Sequence, residues 1–175
     1  MIIVFTGNGK GKTTASLGQM VRVLGRGKTA LMIQFIKGPW ISGEDEFNKR
    51  FRIPEDEFDI RKMGLGFVGI LGDKLPLKDH EAAAQKGLDA FIAEKKSGRW
   101  HLIVLDEINV AVSLGLLAVQ EVLDAISDFP EDHILILSGR DAPKEFIARA
   151  DLATEMREIK HPFQEGTQGK ITVEF

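Results

Sequence analysis

Two kinds of apolar pattern alternate along the chain. Residues 2–5, 30–36, 101–105 and 134–137 are short, near-continuous apolar runs, the pattern of strands buried on both faces. Between them, apolar residues return every three or four positions: Leu17, Val21 and Leu24; then Ala84, Leu88, Phe91 and Ile92; then Val119, Val122, Leu123 and Ile126. Each set lies along one face of a helix. Gly25-Arg26-Gly27 ends the first helix, and Ser97-Gly98 ends the second, which runs from about residue 77 to 96. Pro143 opens a short helix to residue 150, residues 152–156 read as a last core strand, and residues 171–175 read as an edge strand. Strand, helix and strand in this order make right-handed crossovers between parallel strands. The expected class is α/β with a mostly parallel central sheet.

Between residues 39 and 76 the pattern loosens. Trp40 is followed by a charge-rich run from Glu44 to Glu57, a further strand at 58–63, and then Gly64-Leu65-Gly66-Phe67-Val68-Gly69. Long glycine-rich loops in compact domains belong to function or to mobility. Leu65, Phe67, Val68, Ile70 and Leu71 either line an apolar ligand face or pack inward, and the sequence leaves both readings open.

A length of 175 residues suits one domain, 1–175, with a central sheet covered by helices. The net charge of −3 gives no general attraction for nucleic acid or anionic lipid, so any polyanion must be bound locally. The chain has no cysteine, which excludes disulfides, thiolate metal sites and cysteine nucleophiles. No leader pattern follows Met1 and no apolar run approaches bilayer length, so a cytoplasmic protein without membrane or nucleic-acid partners is expected.

The candidate chemistry concentrates in Thr6-Gly7-Asn8-Gly9-Lys10-Gly11-Lys12-Thr13-Thr14, between the first strand and the first helix. Holding a triphosphate requires several backbone N–H groups converging on it, with no side chains in the way. Gly7, Gly9 and Gly11 leave that room, Lys12 places an ammonium among phosphate oxygens, and Thr13 offers a hydroxyl to Mg²⁺ or Mn²⁺. The helix dipole adds to both. The spacing departs from G-x-x-x-x-G-K-[ST]: Thr6 stands where glycine is expected and Gly7 comes one residue late, so the loop is one residue short. The second signal is Asp106-Glu107, carboxylates closing an apolar strand where Mg²⁺ needs oxygen ligands. The same acids also suit the start of a helix at Ile108. Gln34 and Lys37 close the second strand at the edge where open α/β sheets bind ligands. They either reach substrate or form an ordinary strand end. Arg140, after Ser138-Gly139, arrives at the same edge and could contact phosphate or ribose. His161 is read as structural.

Five ordered blocks carry a resemblance: the glycine loop, Gln34-Phe35-Ile36-Lys37-Gly38, Leu105-Asp106-Glu107-Ile108-Asn109, Ser138-Gly139-Arg140, and Glu155-Met156-Arg157 with Lys160-His161-Pro162-Phe163. Over nearly its whole length the chain resembles the ATP:corrinoid adenosyltransferases. The resemblance implies a three-layer, P-loop NTPase-like (RecA-like) fold and transfer of the 5′-deoxyadenosyl group of ATP to Co(I) of a corrinoid, cobalamin or cobinamide, with release of triphosphate. It implies a nucleotide bound in the direction opposite to that of ordinary ATPases, in keeping with the short loop. Gly9, Gly11, Lys12 and Thr13 would hold phosphates, with Asn8, Lys10 and Thr14 completing the loop. Thr13 and Glu107 would ligate Mg²⁺ with support from Asp106, making Lys12, Thr13 and Glu107 the catalytic set. Phe67, Gln34 and Lys37 would face the corrinoid. A flavoprotein reductase as electron donor and a homodimer are further implications.

Two departures qualify the resemblance. Family members often carry a helix before the first strand that helps to cover the site, whereas Met1 stands directly at that strand here. The family also sets an aromatic pair beside the corrinoid; Phe67 matches one member, but Gly69 stands where tryptophan is expected. Competing readings are a RecA-like ATPase, for which a full-length loop is expected, and a non-catalytic corrinoid or nucleotide carrier. Triphosphate as product, rather than ADP, separates the transferase from the ATPase.

Overall fold

The structure is a computed structural model that describes residues 1–70, 72–161, 166 and 173, with only the backbone of Asn48. The elements run β1 (Ile2–Thr6), α1 (Lys12–Leu24), β2 (Ala30–Gln34), α2 (Gly43–Phe51), β3 (Phe58–Lys62), α3 (Leu77–Ser97), β4 (Leu102–Asp106), α4 (Ile108–Ser113), α5 (Val119–Ile126), β5 (Ile134–Ser138), α6 (Lys144–Arg149) and β6 (Leu152–Glu155). The strands form one six-stranded sheet in the order β3-β2-β4-β5-β1-β6. Every pairing is parallel. The α/β class and mostly parallel sheet are as expected.

The lack of polar alternation in the strands has a direct cause, since each face of the sheet has its own core. Ile2, Val4, Leu31, Ile33, Leu105 and Leu137 face one way, against Leu88 and Phe91 of α3 and Val122 and Ile126 of α5. Ile3, Met32, Val104 and Ile136 face the other way, against Met20 and Val23 of α1. Parallel strands covered on both sides have no solvated face to carry polar residues. Three layers result, and burying these side chains is the main favourable contribution to the fold.

Register places the candidate site. Gln34 pairs with Asp106, Leu105 with Leu137, and Phe5 with Ser138, so Gln34, Asp106, Ser138 and Thr6 arrive together at the carboxyl edge of the sheet. Beyond the strands, Gly64 N–H donates to the Gln34 carbonyl (3.1 Å) and Gly66 N–H to the Ile36 carbonyl (3.0 Å). The loops leaving β2 and β3 are therefore joined past the end of the sheet.

Several expectations need correction. The charge-rich run after Glu44 contains helix α2, with Glu44, Asp45 and Glu46 in its first turn and Lys49 and Arg50 in its last, which suits the helix dipole. Val21 is exposed, because the buried stripe of α1 runs through Ser16, Met20 and Val23 instead. Residues 152–155 form a strand, but all four are exposed, and among the described residues β6 pairs with β1 alone. Of the apolar residues after Gly64, Val68 packs against the core, while Leu65, Phe67 and Ile70 are exposed. The expected strand at 171–175, Leu71 and Pro162-Phe163 lie outside the described residues.

Two helical glycines give a paired test. A methyl group on Gly87 of α3 would lie 2.9 Å from the buried Phe35 ring, whereas one on Gly18 of α1 would meet nothing within 4 Å. Gly18→Ala should stabilise the protein by about 0.5–1 kcal/mol through helix propensity. Gly87→Ala should instead destabilise it by about 1–3 kcal/mol, because the ring must move in a packed core. Urea unfolding measures both, and a stabilised Gly87→Ala would mean that α3 and β2 are less tightly packed than described.

Candidate active site

The loop from β1 to α1 is built against a distant part of the chain. Gly9 N–H donates to the Met156 carbonyl at 2.7 Å, and Met156 N–H donates to the Thr6 carbonyl at 2.8 Å. A methyl group on Gly7 would stand 2.4 Å from the Met156 oxygen, and one on Gly9 2.7 Å from it. These glycines are thus required by the chain leaving β6, and not only by the room that a phosphate needs. Gly7 (φ 93°) and Gly11 (φ 117°) also take left-handed backbone that other residues avoid. Thr6, in place of the expected glycine, accepts a hydrogen bond from Ala142 N–H at 3.2 Å through its hydroxyl and so anchors the loop that follows Arg140.

Lys12 is buried, and its Nζ donates to the carbonyls of Gly7 and Gly9, both at 2.7 Å. Burial lowers its pKa, Glu107 and Asp106 pull it back up, and Arg140 adds to the lowering. The ammonium is held inside the loop that it serves.

Asp106, fully buried at the end of β4, is the hub of the site. Its Oδ1 accepts from Thr13 Oγ1 (2.9 Å) and Ser138 Oγ (2.7 Å), and its Oδ2 accepts from Gln34 Nε2 (3.1 Å). One carboxylate thus ties α1, β5 and β2 to β4. Gln34 is itself fully buried, and its Oε1 has no hydrogen-bond partner among the described residues. The expectation that Gln34 reaches substrate therefore meets a side chain turned to Asp106 instead.

Glu107 has left-handed backbone (φ 62°) and makes no side-chain cap to α4, so helix capping does not account for it. Its N–H donates to Ser138 Oγ at 3.2 Å. Burial, and then the neighbouring Asp106 charge, raise its carboxyl to about 7, against the opposing pull of Lys12, Arg140 and Lys37.

These groups open onto a cleft of about 520 Å³. Asn8, Gly9, Lys10, Gly11, Lys12, Thr13 and Thr14 form one wall, while Glu107, Arg140, Lys37, Glu44 and Glu158 contribute further charged side chains. Lys37 is ion-paired with Glu44 of α2. His161 also lines the cleft, a position that its sequence context did not signal. Among the described residues no group of three or more His, Asp or Glu side chains is arranged to hold a metal. Beside Lys12 the cleft offers the Thr13 hydroxyl and the Glu107 carboxylate, with Asp106 buried behind them holding the hydroxyl. Such a sparse, hard donor set fits Mg²⁺, which keeps several waters and shares phosphate oxygens, better than a cation needing a full protein cage.

Phe67 lies beside Trp40, with ring centroids 5.6 Å apart and planes tilted by 40°. Nothing in the sequence around Trp40 signals a role for it. Gly69, where the resemblance leads one to expect a tryptophan, has φ 68° and open space around its missing side chain.

Comparison with known proteins agrees with this geometry. The family described as ATP:corrinoid adenosyltransferase BtuR/CobO/CobP matches residues 1–175. The Pseudomonas aeruginosa protein named corrinoid adenosyltransferase is 37% identical over 175 residues, covering 100% of this chain and 83% of its own length. The Escherichia coli K12 protein of the same name is 32% identical over 175 residues, covering 100% and 85%. The Salmonella typhimurium protein named corrinoid adenosyltransferase CobA is 32% identical over 178 residues, also covering 100% and 85%. The family model and these relatives match along the entire sequence, and the chain belongs to the ATP:corrinoid adenosyltransferase family.

Proposed function

We propose that the chain transfers the 5′-deoxyadenosyl group of ATP to Co(I) of a corrinoid, cobalamin or cobinamide, and releases inorganic triphosphate. The observation that carries this reading is the convergence of Lys12, Thr13, Glu107 and Arg140 on one cleft in a chain with full-length family membership. Co(I) brings an electron pair to C5′ of the ribose. The cobalt–carbon bond forms as the C5′–O bond breaks, and the electron pair of that bond leaves with the triphosphate. Co(I) has no proton to lose, so no general base is required. The protein's work is to align C5′ with cobalt and to stabilise charge on the leaving group.

The loop from Thr6 to Thr14, with Gly7, Asn8, Gly9, Lys10 and Gly11 between, is the phosphate site, and Lys12 and Arg140 supply its positive charge. Thr13 and Glu107 would hold Mg²⁺ or Mn²⁺, with Asp106 fixing the Thr13 hydroxyl. When bound, the cation neutralises phosphate charge. Phe67 and Lys37 stand on the corrinoid side, and Gln34 acts there only by holding Asp106. Reaching Co(I) from Co(III) takes two electrons, which we assign to a separate flavoprotein reductase. A single domain of residues 1–175 working as a homodimer in the cytoplasm is the setting that the family resemblance supports; no described helix is long and apolar enough to cross a membrane.

One observation favours ATP hydrolysis as a second reading: a glutamate raised to about 7 suits a base that activates water. The phosphate product decides. With ATP, Mg²⁺ and chemically reduced cobalamin under anaerobic conditions, adenosylcobalamin and triphosphate should accumulate together. ADP and phosphate without change in the corrinoid spectrum would overturn the transferase reading.

Lys12→Ala should lower kcat/KM about 100-fold or more. Because Lys12 satisfies two loop carbonyls, the variant should also lose about 1–3 kcal/mol of stability, so circular dichroism must confirm folding. Full activity in the folded variant would remove Lys12 from the mechanism. Glu107→Gln should raise the Mg²⁺ concentration needed for half-maximal rate about tenfold; an unchanged requirement would leave Glu107 without a metal role. In metal-free buffer, Glu107 gives stability that is present below its unfolded value of 4.5 and lost as pH rises through about 7. Thermal melts should therefore show the wild type losing stability relative to Glu107→Gln across that range, whereas parallel profiles would show that the carboxyl titrates normally.

A further inference from the structure

Trp40 is at once exposed and rigidly held. Its relative exposure is 59%, yet its ring lies against two glycine backbones: a methyl group on Gly38 would come within 2.8 Å of it and one on Gly66 within 2.7 Å. The loops carrying these glycines are tied by the Gly66-to-Ile36 hydrogen bond, and Lys62 Nζ donates to the Trp40 carbonyl. Phe67, 45% exposed, flanks the ring on its other loop. Leaving a large aromatic wet forgoes the stabilisation that burial would give. Here the backbone is shaped to hold that ring in place while its outer surface stays open.

Position and chemistry indicate what covers it. Lys37, three residues before Trp40, lines the phosphate cleft. Forming a cobalt–carbon bond to C5′ requires the macrocycle to lie directly beside the nucleotide, at this same edge of the sheet. A corrin is a broad, flat ring with an apolar face, and a fixed aromatic surface next to the cleft matches it. Gly69 offers no side chain for this purpose. We propose that Trp40, with Phe67, forms the surface on which the corrin ring of the substrate rests, and that Trp40 is the principal binding residue for it. The inference rests on the transferase reading above.

The test measures binding separately from turnover. With the full-length protein, isothermal titration gives the Kd of Co(III) cobalamin in the presence of Mg²⁺-ATP, and separately the Kd of Mg²⁺-ATP alone. Trp40→Ala and Trp40→Leu should weaken cobalamin binding about tenfold or more, Trp40→Phe should recover most of it, and ATP binding should stay within about twofold of wild type. Because Trp100 is buried and Trp40 is the chain's other tryptophan, cobalamin should also quench most of the wild-type emission that Trp40→Phe lacks. Should Trp40→Ala loosen the loops and lose ATP binding too, the comparison of Leu with Phe, which both cover the glycines, decides. Equal cobalamin affinity in wild type, Leu and Phe variants would overturn the proposal. So would unchanged affinity with a shift in sedimentation of Trp40→Ala, which would assign the patch to a second copy of the chain. A wild type that binds ATP but neither cobalamin nor cobinamide would defeat the transferase reading itself.

Discussion

A carboxyl group with no exposed surface is tolerable only when its oxygens are hydrogen-bonded, and Asp106 meets that condition with donors from three other elements. The constraint fixes more than one residue. It sets the register of β2 against β4 at Gln34, brings Ser138 of β5 alongside, and holds the first turn of α1 through Thr13. Ser138 then passes the constraint on, because the hydroxyl that donates to Asp106 also accepts from Glu107 N–H. The left-handed backbone at Glu107 and its approach to the cleft follow from that chain of bonds. The edge is tied together at its centre by one buried carboxyl group that bonds three other elements.

The glycine loop shows how a local motif answers to a remote constraint. Gly7 and Gly9 sit where the backbone of Met156 and Arg157 passes within van der Waals distance, so the phosphate loop and the segment after β6 are one unit. Thr6 adds a third tie, to the chain after Arg140. Loop shape is determined jointly by these contacts.

The central layer was legible in the sequence because short apolar runs without alternation, spaced by helical patterns, suit strands buried on both faces. The ends of those runs delivered Lys12, Asp106, Glu107 and Arg140 to one edge. What stayed hidden arose from contacts between distant segments. Nothing local distinguishes a glycine kept clear for phosphate from one kept clear for the Met156 carbonyl. Helix α2 is faint in the sequence because its apolar residues are few, Phe47 and Phe51. It is held by Phe47 against Phe58 and by ion pairs from Glu44 to Lys37 and Asp45 to Lys62. The Trp40–Phe67 pair joins two loops whose meeting depends on β2 and β3 being neighbours. Gln34 has the sequence position of a strand-end residue free to reach outward, and only the register with Asp106 shows why it turns in.

The position of Lys12 has a consequence for how the site fills. Two of the three ammonium donors are already engaged by the loop's own carbonyl oxygens at Gly7 and Gly9, so on the proposed reading an arriving phosphate would compete with them. Entry is therefore a ligand exchange, in which anionic oxygens displace neutral ones and the loop carbonyls must find other donors. A single small anion gains little from such an exchange, because it replaces two good contacts with few. A triphosphate spanning the loop, the Thr13 hydroxyl and Arg140, as proposed, would replace them with more contacts than it displaces. Such a site would discriminate by the number of simultaneous contacts, favouring a long polyanion over a single phosphate.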